Sequence, residues 1–364
     1  MFLRNIWSGY LKRIQFFYFL KVRLKNKNYK NYLRDMKSGK FKDEKTIKRE
    51  MALIRDYWHC QPLHYVRYRL FEKELTDQQL IDYVPPYVYY LFHLPPLLEN
   101  VDKRYSSKLF QLEQFRQRGI LTPATVAIFN HGKLIDLEGN LIDSNQLVNL
   151  FSENEKVFCK PETGCGGHGI QVLQRTGDSL QHRKTHKRSV ALSDFFTGDI
   201  TYLIQKQVHQ IEFMDQLNSG CINTFRVVTK NHNGNISIAC IFLRAGRHHS
   251  DIDNNTQGGM SLDVNIETGR ISDIAILEHG NDKFERHPDS GFVFKGNCIP
   301  NWVDYKKQML EVAAKFPDLT EVGWDFALTP EGVMTIELNV GFGLDLMQLC
   351  CGPMREPLMV EPYT

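Results

Sequence analysis

Several familiar signatures are missing from this chain of 364 residues, and each absence narrows what the protein can be. Its eight cysteines include no Cys-x-x-Cys pair and no regular spacing, and Cys350 and Cys351 are adjacent. That argues against zinc ligation and against a disulfide framework, so a reducing, cytoplasmic compartment is expected. No apolar run approaches the ~20 residues of a membrane span. The longest near-apolar stretch near the start, Ile14–Leu20, is followed by Lys21-Val-Arg and not by a small-residue cleavage site, so no signal peptide is expected. A net charge of +3 is too small to argue for nucleic acid. Internal repeats and low-complexity tracts are absent. Acidic residues are missing from the first 34 positions, where nine lysines and arginines alternate with Phe2, Trp7, Phe16, Phe17 and Phe19. Such a segment suits a helix lying on an anionic membrane surface, and equally a helix packing its apolar stripe on the main body.

What is present is the composition of an ordinary globular protein, 42% hydrophobic and 24% charged, long enough for two or three lobes. Residues 35–100 alternate charged and apolar positions at helical spacing, broken by Pro85-Pro86 and Pro95-Pro96, and read as a helical N-terminal lobe. From Asp102 the pattern changes. Ser106–Gly119 reads as a helix with a glycine stop, and Ala124–Phe129 as a strand. Gln174–Arg188 is polar and basic and reads as a loop. Thr201–Val208, Asn223–Thr229, Ile236–Arg244 and Ser261–Ile266 read as strands, with the polar loop Asp251–Gly259 among them. Trp302–Phe316 is helical by periodicity, and two final strands, Glu321–Leu328 and Val333–Val340, are joined at Thr329–Gly332.

Two stretches carry chemistry. In Val157–Leu173 a short apolar run ends at Lys160, and a loop with Gly164, Gly166, Gly167 and Gly169 follows before a second β-like run. Little side-chain bulk lets backbone N–H groups close over an anion, and the lysine adds a fixed positive charge. It is neither a Walker loop, lacking Gly-Lys-Ser/Thr, nor a Rossmann turn, lacking a following helix. The alternative is a glycine-rich hairpin with a solvated lysine. On the last two strands, Glu337 and Asn339 are two residues apart and share a face, and a hairpin around Gly332 can set Asp325 beside them. Two carboxylates and an amide oxygen suit Mg²⁺, which completes its shell with phosphates and waters. The alternative is a solvated polar face of the hairpin.

Taken in order, Lys108, Lys160, the glycine-rich loop, a strand ending at 205–208, Arg226 and Asp325…Glu337-x-Asn339 resemble the ATP-grasp superfamily. The chain looks like the sugar-transfer-associated ATP-grasp proteins in FCKPETGCGGHGI, YLIQKQV, INTFRVVT, DIDNNTQGGMSLDVNIETGRI and GWDFALTPEGVMTIELNVGFGLDLMQ, over roughly residues 105–350. The resemblance implies an α+β ATP-grasp fold in which two lobes clamp ATP. A helical lobe over 1–100 would precede a small lobe over 101–208 with the flap and a large lobe over 209–364 with the metal strands. It implies an ADP-forming ligase with ATP and Mg²⁺, activating a small-molecule carboxylate as an acyl phosphate for attack by an amine. An amino acid and a sugar in surface polysaccharide assembly are the implied substrates. A kinase-like transfer to a hydroxyl and a non-catalytic membrane-surface scaffold stay open.

Carried over by position, Lys160 would hold the α/β-phosphates under the Gly164–Gly169 flap. Lys108, or its rival Lys103, would be the first ATP lysine. Gln205, Lys206 and Val208 would form the adenine-reading hinge, with Gln205 departing from the acid common there, and Glu212 would meet the ribose. His168 stands in the flap where a lysine is common. Arg226 would meet the γ-phosphate or an acyl-phosphate oxyanion, and Asp325, Glu337 and Asn339 would hold the metal.

Overall fold

The computed structural model describes residues 27–164, 166–196, 200–253, 258–278 and 282–362. Most of the basic N-terminal segment, residues 1–26, therefore lies outside the described residues. Its described end is the helix Lys27–Lys37, which buries Tyr29, Tyr32 and Met36 and leaves Lys30, Arg34 and Lys37 exposed. Among the described residues no helix is long and apolar enough to cross a membrane.

Alternating burial makes the first sheet. β1 (Thr125–Asn130) buries every second side chain and returns as β2 (Lys133–Ile135) through His131 and Gly132, both at positive φ. That two-residue turn matches the twist of the strands it joins. β3 (Leu141–Ile142), β4 (Lys156–Pro161), β5 (Gln171–Thr176), β6 (Ser179–His182), β7 (Arg188–Ser189) and β8 (Tyr202–Lys206) complete eight antiparallel strands in the order β3-β2-β1-β8-β4-β5-β6-β7. The polar stretch 174–188 is thus a correction to the loop expected there. It carries β6, β7 and the end of β5, because Leu173, Leu180 and His182 still alternate inward around the Gly177 turn.

The second sheet contains β9 (Thr224–His232), β10 (Asn235–Ala245), β11 (Met260–Asp263), β12 (Ala275–Ile276), β13 (Lys283–Phe284), β14 (Glu321–Thr329) and β15 (Gly332–Asn339), ordered β13-β12-β11-β10-β9-β14-β15. Every residue of β14 is buried, since it pairs on both edges and both faces of the sheet are covered. Successive side chains go to different cores. Phe225, Val227, Ile241 and Leu243 pack with Trp302 and Met309 of the helix Trp302–Ala314. Val228, Cys240 and Phe242 pack with the N-terminal helices and with Leu344 and Met347 of the helix Leu344–Cys351.

The helical lobe is also fixed to that second face by polar contacts. His93 Nε2 lies 2.8 Å from Glu321 Oε1, and Lys230 Nζ 3.1 Å from the same oxygen. Arg67 and Tyr68 both reach Asp345 at 2.8 Å. The face that the helices cover is the one from which Arg226 and Asp325 project, so the lobe walls the charged end of the large sheet.

Candidate functional site

One cavity is lined from both sheets. Lys156, Phe158 and Lys160 of β4 and Gln205 and Lys206 of β8 come from the first, and Thr224, Arg244, Asp325 and Glu337 from the second. The flap closes one side with Gly164, Gly166, Gly167 and His168. Gly166 and Gly167 adopt φ 68° and 70° in succession, a left-handed pair that side chains resist, so the glycines there are set by backbone shape.

Of the two candidate first lysines, Lys108 lines the cavity and Lys103 is exposed in the short turn Lys103–Ser106. Lys108 opens the helix Lys108–Gln117, capped by Ser107. Its Nζ donates to Gly164 O at 2.9 Å and sits 3.3 Å from Glu337 Oε1, joining the flap to the last strand. Lys160 is half-buried. Burial of its ammonium pushes its pKa below the ordinary value, Lys108 adds to that, and the pull of Glu337 opposes it. Two partly desolvated ammonium groups in one cavity are a site for a polyanion.

The hinge residues Gln205, Lys206 and Val208 all line the cavity. Gln205 donates its amide to Thr125 Oγ1 at 3.0 Å, and its buried Oε1 has no partner among the described residues. Glu212 does not line the cavity. It is exposed at the start of the helix Glu212–Asn218, bonded to Gln216, and Asp215 one turn later is the carboxylate that lines it.

On the large sheet the register places Phe242, Arg226, Asp325 and Glu337 side by side across β10, β9, β14 and β15. Asp325 and Glu337 are direct cross-strand neighbours through a register shift between Asp325 and Phe326, because the pairing that starts at Thr329 and Gly332 would otherwise set Asp325 against Ile336. Arg226 does not line the cavity. It stands against Asp325, with Nε 2.6 Å from Oδ1 and Nη2 3.3 Å from Oδ2. Arg244 is the guanidinium on the cavity wall, 2.8 Å from Asp325 Oδ2 and bonded twice to Thr224 Oγ1. Burial alone would raise the Asp325 pKa, but the two arginines outweigh it and hold the carboxyl below its ordinary value. Asn339 does not line the cavity; its side chain makes no hydrogen bond among the described residues, and its amide nitrogen is buried.

Of the three expected metal ligands the cavity brings together the two carboxylates, and among the described residues no group of three carboxylate, histidine or cysteine side chains is placed to hold a metal ion. Asp325 accepts three guanidinium bonds out of about four lone-pair positions. Glu337 has one ammonium neighbour, and the unpartnered buried atom of Asn339 is its amide nitrogen, a donor and not a metal ligand. Lys156 ties the two sheets across the cleft, reaching Gly220 O and Asp251 Oδ1 at 2.9 Å each, with Arg183 on the same carboxylate.

Residues 96–358 match the family model described as sugar-transfer associated ATP-grasp. The chain belongs to that family. No curated protein matches it. Among solved structures, D-alanine–D-alanine ligase of Helicobacter pylori is similar over 71% of this chain and 59% of its own, at 13% identity and TM-score 0.38. The ATP-grasp ligase PsnB, solved with a precursor peptide and AMPPNP, is 16% identical over 73% of this chain and 60% of its own, TM-score 0.34. A biotin carboxylase of Campylobacter jejuni is 12% identical over 71% and 46%, TM-score 0.38. At these identities and scores the likeness says nothing about substrate.

Three residues on the walls of this ATP-grasp cavity escaped sequence reasoning. Arg244 ends the apolar run Ile241–Leu243, and a charge closing a buried strand is a legible signal. Asp253 sits in a stretch that reads only as a polar loop, and Lys156 opens the strand that leads to Lys160.

Proposed function

We propose that the protein is an ATP-dependent, ADP-forming ligase that activates a carboxylate as an acyl phosphate and transfers the acyl group to an amine. The supporting observation is that Lys108, Lys160, the glycine flap, the hinge and the Asp325–Glu337 pair line one cavity. In the first step a carboxylate oxygen attacks the γ-phosphorus and ADP leaves. Dispersed negative charge on the transferring group makes electrostatics the main source of acceleration. Lys108 and Lys160 would hold phosphate oxygens, and flap N–H groups would cover them. Asp325 and Glu337 would hold Mg²⁺, which supplies charge neutralisation on the phosphates when bound. Arg226, behind Asp325, would orient that carboxylate, and Arg244 would meet the oxyanion directly.

The family description points to sugar-linked chemistry, so an amino acid joined to a sugar carboxylate or amine in surface polysaccharide is the substrate class proposed. Residues 1–34 would touch anionic lipid at the cytoplasmic face, and Lys30 and Arg34, exposed at the described end of that segment, are consistent with it. Incubation with ATP, Mg²⁺ and pooled amino acids, hexuronic acids and amino sugars, read by mass spectrometry, tests the reaction. An amide formed together with ADP is expected. A phosphorylated hydroxyl product would instead establish phosphotransfer.

A further inference from the structure

Four carboxylates line the cavity, Asp215, Asp253, Asp325 and Glu337, and they are not equivalent. Asp325 is held by Arg226 and Arg244, and Glu337 is paired with Lys108. Asp215, on the helix following the hinge, accepts the Gln210 amide at 2.9 Å. Asp253 differs from Asp325 and Glu337 in having no cation partner among the described residues, and from Asp215, which is exposed, in being buried. Its Oδ2 accepts the Thr224 backbone N–H at 2.8 Å and the Thr224 hydroxyl, while its Oδ1 makes no hydrogen bond among the described residues. Arg244, although near, spends its bonds on Thr224 Oγ1 and Asp325. Asp253 is thus a pinned, 8% exposed carboxylate on the cavity wall with no cation bonded to it among the described residues.

Such a group repels phosphate and attracts an ammonium. An amine substrate arrives protonated at neutral pH and must lose a proton before its lone pair can attack. We propose that Asp253 is the amine site: its free Oδ1 binds the substrate ammonium and accepts a proton from it, which frees the nitrogen lone pair to attack the acyl phosphate. This rests on the ligase reading above. The nitrogen lone pair forms the C–N bond, and the bond from the acyl carbon to the phosphate oxygen breaks. Inorganic phosphate leaves with that electron pair. Of the two protons the ammonium nitrogen loses, one passes to Asp253 and the other leaves with the phosphate. Burial raises the Asp253 pKa against the pull of Arg244, which makes it a better proton acceptor than a solvated carboxylate. Thr224, bonded to Asp253 on one side and to Arg244 on the other, sets the orientation of both. The site therefore selects substrates with a basic amino group.

The test uses the acid and amine that the wild-type chain joins from the pool above, with hydroxylamine as a second nucleophile. Hydroxylamine is largely uncharged at neutral pH and needs no base. Asp253→Asn keeps an acceptor oxygen for Thr224. It is expected to lower amide formation by about 10²-fold or more, leave hydroxamate formation unchanged and raise KM for the amine. Asp253→Glu should restore part of the amide rate, and it carries the comparison if the asparagine variant does not fold. Unchanged ATP affinity, by calorimetry, separates this from damage to the nucleotide site. Hydroxamate formation falling as far as amide formation, or amide formation unaffected by either variant, overturns the assignment and leaves the ligase reading intact. A wild-type chain that forms neither product with any acid overturns both.

Discussion

Asp325 and Glu337 are cross-strand neighbours with the same proposed task, yet their surroundings predict unequal losses of stability. The Asp325 side chain is 7% exposed and lies between Arg226 and Arg244, themselves 15% and 10% exposed. Removing one partner from a buried pair costs about 3–5 kcal/mol, because the remaining charge stays desolvated. Asp325→Asn strands two guanidiniums at once and turns an amide N–H₂ toward one of them, so a loss of about 3–5 kcal/mol is expected. Glu337 is 25% exposed and 3.3 Å from one lysine, and Glu337→Gln should cost under about 1 kcal/mol. Both variants should abolish ATP turnover. Urea unfolding followed by tryptophan fluorescence reads the difference, since Trp324 is buried next to Asp325 on the same strand. The sign of the pH effect is also set. A carboxyl held below its ordinary value of 3.8 stabilises the fold above that pH and loses the contribution as pH falls through the lowered value. Equal stability of the two variants would refute the arginine clamp.

Three further outcomes are expected. His64 is buried with neither ring nitrogen bonded among the described residues, and burial lowers its pKa to about 3. The unfolded chain takes up a proton near pH 6.5 that the folded one refuses, so this residue alone removes about 2 kcal/mol between pH 7 and 5. His64→Phe should flatten that slope in pH-dependent urea melts, and an unchanged slope would refute the assignment. Lys108→Ala should weaken ATP binding in fluorescence titration while Lys103→Ala leaves it unaltered; the reverse order would move the first lysine to Lys103. Cosedimentation with anionic vesicles should fall steeply with salt, at about 1 kcal/mol per basic residue near the surface, whereas equal pelleting with neutral vesicles would exclude electrostatic docking.

How much was legible depended on whether the relevant contact is local. Glu337, Asn339 and the Gly332 hairpin lie within one short stretch, so the two strands and their shared face were legible, while the register shift that sets Glu337 opposite Asp325 left no trace in the periodicity. The glycine flap and Lys160 are likewise contiguous. Arg226 meets Asp325 across β9 and β14, whose pairing spans 99 positions in sequence and leaves no periodic trace. That is why an arginine expected at phosphate is found holding a carboxylate. Asp253 gains meaning only through Thr224, 29 positions earlier, and Arg244 through the same residue. The segment 174–188 misled because its exposed basic residues hide the inward alternation of Leu180 and His182. The helical lobe was visible from periodicity, but its cover over one face of the large sheet comes from contacts such as His93 with Glu321.

Calorimetric titration of Mg²⁺-ATP into the wild-type chain and Lys160→Ala tests the central claim most directly. One charge-assisted contact to phosphate is worth about 1.5–3 kcal/mol, or roughly 10–100-fold in affinity. The account predicts one-to-one binding by the wild type, weakened by that factor in Lys160→Ala with an unchanged circular dichroism spectrum. Equal affinity in the two proteins, or no binding of ATP by the wild type, would contradict it.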